Sequence, residues 1–101
     1  MPPQPRTRLT TVMHSPTRLA ILGVLRHVQQ VNFAELQNAL ELSAPELSRQ
    51  LGILEKENLV EIAKFRERRH AVTRVRLSPS GREQFQEYLE ELRKVVQADL
   101  D

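Results

Sequence analysis

A chain of 101 residues, 40% of them hydrophobic, can form one compact core and has little material for a second domain. It contains no cysteine, which excludes disulfides and thiolate metal ligands, and its three histidines lack the i, i+3 or i, i+4 spacing of a helical metal site. We therefore expect no cofactor and no metal site within one chain, and the formal net charge of +2 indicates no particular partner.

The charge is distributed unevenly along the chain. Residues 64–76 carry six basic residues and one acid, whereas residues 79–101 carry three basic residues and six acids. A protein with one surface suited to phosphate would show such an asymmetry. No apolar run approaches the roughly 18 residues of a membrane span, and the first residues lack the apolar stretch of a signal peptide, so we expect a cytoplasmic protein with no membrane partner.

The N-terminal region divides into an arm and a helix. Residues 1–8 hold three prolines and two arginines without an apolar period, which predicts a flexible arm. Apolar residues at i, i+3 and i+4 then predict a short helical turn: Leu9, Val12 and Met13. Ser15 and Pro16 are typical of a helix start, and the helix is predicted to run from about residue 16 to residue 28. Its apolar residues surround most of its circumference, which predicts burial on more than one side.

Two helices joined by a tight turn are predicted next. Asn32 can cap a short helix whose apolar residues repeat at helical spacing up to Leu40. A further helix is predicted over about residues 44–57, because Ser43 and Glu46 have the spacing of a capping box. Two helices with so short a connection are typical of a helix-turn-helix.

The apolar period then changes from 3.6 to 2. Residues 59–65 and 71–77 are rich in β-branched and aromatic side chains, which predicts a two-stranded hairpin. Its tip, residues 66–70, is nearly all charged. The expected fold class is therefore mainly α with a small β-hairpin.

A long helix is predicted at the C-terminal end, from Ser78-Pro79 to about Ala98. Its apolar residues recur at steps of 4, 3 and 4, the pattern of a coiled-coil seam, which needs a partner helix. A second copy of the chain can supply that helix. The predicted dimer interface comprises the apolar residues of this helix and of the N-terminal turn: Leu9, Val12, Met13, Phe85, Tyr88, Leu89, Leu92, Val95 and Val96.

The order of elements resembles the winged helix regulators of the MarR and ArsR type. The opening helix of that superfamily is similar to residues 14–25 (H-S-P-T-R-L-A-I-L-G-V-L). Its recognition helix, running into the wing, is similar to residues 47–60 (L-S-R-Q-L-G-I-L-E-K-E-N-L-V). The MarR wing and the start of the last helix are similar to residues 66–85. The resemblance covers about residues 12–90.

The resemblance implies a winged helix DNA-binding domain at residues 9–78 and a dimerisation helix at residues 79–101 within the same globular unit. It also implies a transcriptional regulator, expected to be a repressor, that binds a palindromic operator as a homodimer. The chain is shorter than a full-length MarR protein and lacks the cysteines of metal-sensing ArsR proteins. It is therefore more similar to a minimal subgroup with one C-terminal dimerisation helix, and the sequence does not indicate a small-molecule effector.

A recognition helix presents its N-terminal residues to base edges in the major groove. Arg49 can donate two hydrogen bonds to guanine, Gln50 can pair with adenine, and Ser48 can bind a base or a phosphate. Arginines on a wing are suited to phosphates and to the minor groove. The candidate DNA-binding residues are Ser43, Pro45, Glu46, Ser48, Arg49, Gln50 and Lys56 on the helix and Lys64, Arg66, Arg68, Arg69 and His70 on the wing.

Each of these features has a simpler interpretation. The polar residues of the helix could be a solvated face, and the charged hairpin could serve to prevent edge-strand aggregation. Gly52, in mid-helix, would allow close approach of a DNA backbone or could be a tolerant position. A winged helix that binds another protein is the alternative function, although such a wing usually carries apolar anchors. No catalytic residue is predicted, because neither a phosphate-binding loop nor a nucleophile and base pattern is present, so we do not expect an enzyme.

Overall fold

The computed structural model describes residues 11–100, with side chains to residue 97. A helical turn at residues 11–13 precedes the main elements. These are helix α1 (Pro16–Leu25), strand β1 (Val31–Asn32), helices α2 (Phe33–Leu40) and α3 (Ala44–Lys56), strands β2 (Val60–Glu67) and β3 (His70–Leu77), and helix α4 (Pro79–Leu100). The predicted fold class, mainly α with a small hairpin, is confirmed. The predicted arm at residues 1–8 and Leu9 lie outside the described residues.

Helix α1 begins as predicted and ends earlier. The hydroxyl of Ser15 accepts a hydrogen bond from the backbone N–H of Arg18, and Pro16 occupies the first turn. The helix ends at Leu25 rather than residue 28, because the backbone N–H groups of His27 and Val28 bond three residues back and tighten the chain into a turn. The guanidinium of Arg82 then donates to the carbonyls of residues 26 and 28, at 3.1 and 3.2 Å, and ties α4 to the end of α1.

The connection between α2 and α3 is as short as predicted, but its capping differs. Asn32 makes no capping hydrogen bond, because its side-chain oxygen accepts from Arg74 of β3 instead. Glu41, with a φ of 53°, ends α2 in the left-handed conformation. The Ser43 hydroxyl accepts from the backbone N–H of Glu46 at 3.2 Å. The predicted return bond from the Glu46 side chain is absent, because that carboxylate binds two side chains of its own helix.

The sheet contains one more strand than the sequence predicted. All three strands are antiparallel in the order β1-β3-β2, with Val31 of β1 opposite Val75 of β3. The pairing of β2 with β3 continues outward to Glu67 opposite His70. Only Arg68 and Arg69 remain in the turn, so the predicted tip is narrower than residues 66–70.

The core lies between the helices and one face of the sheet, and α1 contributes three fully buried side chains to it. Met13, Phe85 and Tyr88, which were predicted to lie at the dimer interface, are buried in this core, with exposed fractions of 2%, 3% and 8%. The reason is that the first turns of α4 pack on the protomer's own sheet and core. The seam predicted on α4 is therefore divided between the protomer core and the surface.

The start of α4 is in close contact with the residue that precedes β2. Ser78 Oγ accepts from the Gly81 N–H at 2.8 Å and donates to the carbonyl of Asn58 at 2.6 Å, which confirms the predicted helix start. A Cβ built on Gly81 would overlap the carbonyl oxygen of Leu59 and lie 2.7 Å from its carbonyl carbon. Only glycine permits this approach of the two backbones.

Candidate nucleic-acid interface

The first turns of α3 form an exposed polar surface. Ser43, Pro45, Ser48 and Arg49 are exposed and Glu46 is partly buried, so the structure brings five of the predicted DNA-binding residues together. Lys56 is also exposed but lies at the other end of the helix. A helix end of this kind can reach base edges in a major groove.

Arg49 and Glu46 form a two-bonded ion pair on this surface. Arg49 Nε donates to one carboxylate oxygen of Glu46 at 3.2 Å, and Nη2 donates to the other at 3.0 Å. The hydrogen bond from Arg49 lowers the pKa of Glu46 below its ordinary value, so the carboxylate stays charged at neutral pH. Arg49 remains 64% exposed. The pair is thus held in one geometry while the guanidinium stays accessible.

Gln50 occupies a different position from the one its sequence pattern suggested. Its exposed fraction is 5%, and both polar atoms of its amide are engaged. Nε2 donates to Glu46 at 2.8 Å, and Oε1 accepts from Arg18 of α1 at 3.0 Å. A direct bond to adenine would require breaking both contacts and moving the side chain outward. The sequence suggested Gln50 as a partner of adenine and gave no sign of Arg18 as its partner.

The second surface is the wing, which comprises β2, the Arg68-Arg69 turn and β3. Both turn residues have positive φ, 48° and 70°, as a two-residue hairpin turn requires. All five predicted wing residues are exposed, and no carboxylate of the described residues forms an ion pair with them. These residues are Lys64, Arg66, Arg68, Arg69 and His70.

The remaining wing arginines are engaged within the hairpin. Arg74 pairs with Glu67 at 3.3 Å, and its guanidinium carbon lies 4.6 Å from the centre of the Phe65 ring. Arg76 pairs with Glu61 across the strands at 2.9 Å. The sequence placed Arg74 and Arg76 on a strand and left a phosphate contact or a salt bridge open for them; the structure shows salt bridges.

A cleft of about 570 Å³ separates α3 from the wing. A Cβ added to Gly52 would meet no atom within 4 Å, so the absence of a side chain leaves the cleft wider. Its lining combines apolar and polar residues, which are Phe33, Ser48, Leu51, Gly52, Glu55, Ile62, Lys64 and Thr73. Among the described residues, no group of histidines and carboxylates could hold a metal ion.

Residues 17–96 match the model of a family described as winged helix DNA-binding domain. The chain belongs to this winged helix family. The predicted winged helix resemblance is confirmed, and the matched family is one of DNA-binding domains. Within residues 11–100, no helix has both the length and the apolar character needed to cross a bilayer.

Solved structures of other proteins share this fold. A transcriptional regulator homologue from Pyrococcus horikoshii OT3 is 23% identical, with a TM-score of 0.83 over 94% of this winged helix protein and 97% of that chain. Diamide-treated YodB from B. subtilis is 18% identical, with a TM-score of 0.82 and 96% of each chain covered. Reduced HlyU from Vibrio cholerae N16961 is 30% identical over 83% of each chain, with a TM-score of 0.67. No curated protein sequence matches significantly.

Proposed function

We propose that this winged helix protein is a sequence-specific regulator that binds double-stranded DNA as a homodimer on a palindromic operator. In this proposal α3 enters the major groove, and the wing tip contacts the neighbouring phosphates or minor groove. A dimer that covers an operator in this way excludes other proteins from the same DNA, so we propose repression as its mode of action.

The Arg68-Arg69 turn is the observation that carries the proposal. Two arginines with positive φ are unusual, since this hairpin turn favours Asn-Gly, and a non-glycine residue in the left-handed region costs about 1 kcal/mol or more. Strain of this kind persists at positions where function requires the side chain. Two exposed guanidinium groups at a hairpin tip suit the concentrated negative potential of a narrow minor groove.

The wing also disfavours the alternative, a protein-binding module. Such a wing would expose apolar anchors. Phe65 is the one large apolar side chain exposed on the described wing, and Arg74 lies over its ring. The deciding experiment is selection from a random duplex library: enrichment of one inverted repeat is expected, and binding to no duplex would favour the protein-binding module.

Replacing Arg68 by asparagine and Arg69 by glycine should stabilise the hairpin while weakening DNA binding. The new turn residues accept positive φ without strain, but two cations are lost. Affinity should fall similarly on all duplexes, and the slope of log affinity against log salt should decrease by about two, one unit per phosphate contact. Thermal unfolding and salt-dependent anisotropy titrations measure the two effects. An unchanged slope would show that these arginines do not contact DNA.

Replacing Arg49 by alanine should cost about 1 to 3 kcal/mol on the selected operator and relax the preference at one base position per half-site. The reason is that a guanidinium recognises guanine through two hydrogen bonds. Competition titrations against operators with single base changes measure the effect. An equal loss on every sequence would identify Arg49 as a phosphate contact instead.

The dimer is proposed from the last turns of α4. Leu92, Val95 and Val96 are 38%, 59% and 53% exposed, and together they extend the apolar face whose beginning is buried in the protomer. Leu89, one turn before Leu92, and Val12 of the N-terminal turn are only partly buried. A two-fold pairing through this face would present two copies of α3, with half-sites about 34 to 36 Å apart.

A further inference from the structure

A continuous set of side-chain hydrogen bonds, here called the relay, connects the N-terminal turn to the exposed tip of Arg49. Arg18 of α1 donates from Nε to the carbonyl of Val12 and from Nη1 to Gln50. Gln50 donates to Glu46, and Glu46 accepts from Arg49. Four side chains of two helices are therefore linked without an interruption.

The chemistry of the groups determines the direction of each bond in the relay. A guanidinium can only donate and a carboxylate can only accept, so the amide oxygen of Gln50 must face Arg18 and its nitrogen must face Glu46. Gln50 is nearly fully buried, which prevents water from replacing either partner. Glu46 is thereby held by a fixed donor to Oε1, the same oxygen that accepts from Arg49 Nη2.

Glu46 leaves the guanine-reading edge of Arg49 free. A guanidinium has five N–H groups, and Glu46 engages one on Nε and one on Nη2. The outer edge, formed by Nη1 and the second N–H of Nη2, retains the two parallel donors that match O6 and N7 of guanine. Arg49 can therefore bind guanine without breaking its pair with Glu46, and loses less side-chain entropy in doing so.

We propose that Glu46, Gln50 and Arg18 are positioning residues that hold Arg49 for recognition of guanine. Gln50 and Arg18, which do not lie on the DNA-facing surface of α3, thereby determine base specificity through Arg49. The proposal rests on the proposed function, in which Arg49 reads a base. The relay differs from a purely structural contact, because its loss should change discrimination at one base more than it changes stability or general affinity.

The test uses the selected operator in which each guanine in turn is replaced by 7-deazaguanine, which lacks the N7 acceptor. Wild-type protein should lose about tenfold in affinity at one guanine per half-site, within the range for a two-bonded arginine contact. Gln50→Leu, which fills the buried site with an apolar side chain and removes both amide hydrogen bonds, should bind the natural operator several-fold more weakly and respond less to 7-deazaguanine. Its affinity for a random duplex should be unchanged.

Glu46→Gln provides a second test on the protein surface, where folding is not at risk. The amide has one oxygen and one NH2 group in place of two oxygens, so it cannot accept both guanidinium bonds. Glu35→Gln on α2 is the matched control, an exposed residue outside the relay, and should behave as wild type. Full sensitivity to 7-deazaguanine in both Gln50→Leu and Glu46→Gln would overturn the positioning proposal alone. Insensitivity of the wild-type protein at every guanine would instead overturn the base-reading role of Arg49.

Discussion

Replacing Leu92 and Val96 together by glutamate should convert the proposed dimer to a folded monomer and reduce operator affinity by about a hundredfold or more. Both residues are exposed in the protomer, at 38% and 53%, and neither belongs to the protomer core or packs against it. In the proposed dimer they are buried against their copies, where unpaired carboxylates are strongly destabilising. Affinity falls because the second half-site contact is no longer intramolecular.

The matched control is Gln86→Glu with Gln97→Glu, which makes the same change in charge at exposed positions on the polar side of the same helix. It should remain dimeric. Sedimentation equilibrium measures the association, and circular dichroism establishes that the seam variant is folded. Wild-type protein that stays monomeric at micromolar concentration without DNA would contradict the dimer and remove the reason to expect a palindrome.

Replacing Gly81 by alanine should reduce the free energy of unfolding by about 3 kcal/mol, the upper range for overpacking, because the clash involves backbone and no flexible side chain. The added methyl group would separate the start of α4 from Leu59 and stretch the bond from the Ser78 N–H to the Leu59 carbonyl. This is a large fraction of the stability of a small domain.

Gly23→Ala on α1 is the control for this variant, because a Cβ there meets no atom within 4 Å. It should stabilise the protein by about 0.5 to 1 kcal/mol through helix propensity. Urea unfolding followed by circular dichroism compares the two. A Gly81→Ala protein as stable as wild type would show that α4 can move away from Leu59 at no energetic cost.

Local signals in the sequence predicted the helix starts well. Ser15, Ser43 and Ser78 each accept the expected backbone hydrogen bond, because a serine followed by proline at the first or second helical position has few alternative structures. The change of apolar period likewise predicted the hairpin. These features depend on neighbours within about four residues, which the sequence displays directly.

The relay and β1 depend on distant partners and had no comparable signal. Arg18 and Gln50 are 32 residues apart, and nothing in the spacing of either residue specifies the other. Strand β1 has only two residues, so no alternation can develop, and it forms because Val31 and Asn32 lie beside β3. Long-range packing decides such contacts.

The dimer seam shows a different limit of sequence reasoning. Apolar spacing on α4 correctly identified a hydrophobic face, but periodicity does not say what covers it. The structure assigns Phe85 and Tyr88 to the protomer core and leaves only the later residues for a partner. Similarly, the type of each arginine on the wing did not reveal whether a carboxylate stood opposite; strand register did.

The wing is supported only at its base. From Lys64 outward all residues of β2 are exposed, and this part of the hairpin extends over about four residue pairs, or about 13 Å. A two-stranded ribbon anchored at one end bends and twists most easily at its free end. In the proposed complex the tip can therefore follow differences in groove width between DNA sequences at small elastic cost, while the helices stay in place. Stiffness in this protein thus increases from the wing tip toward the core.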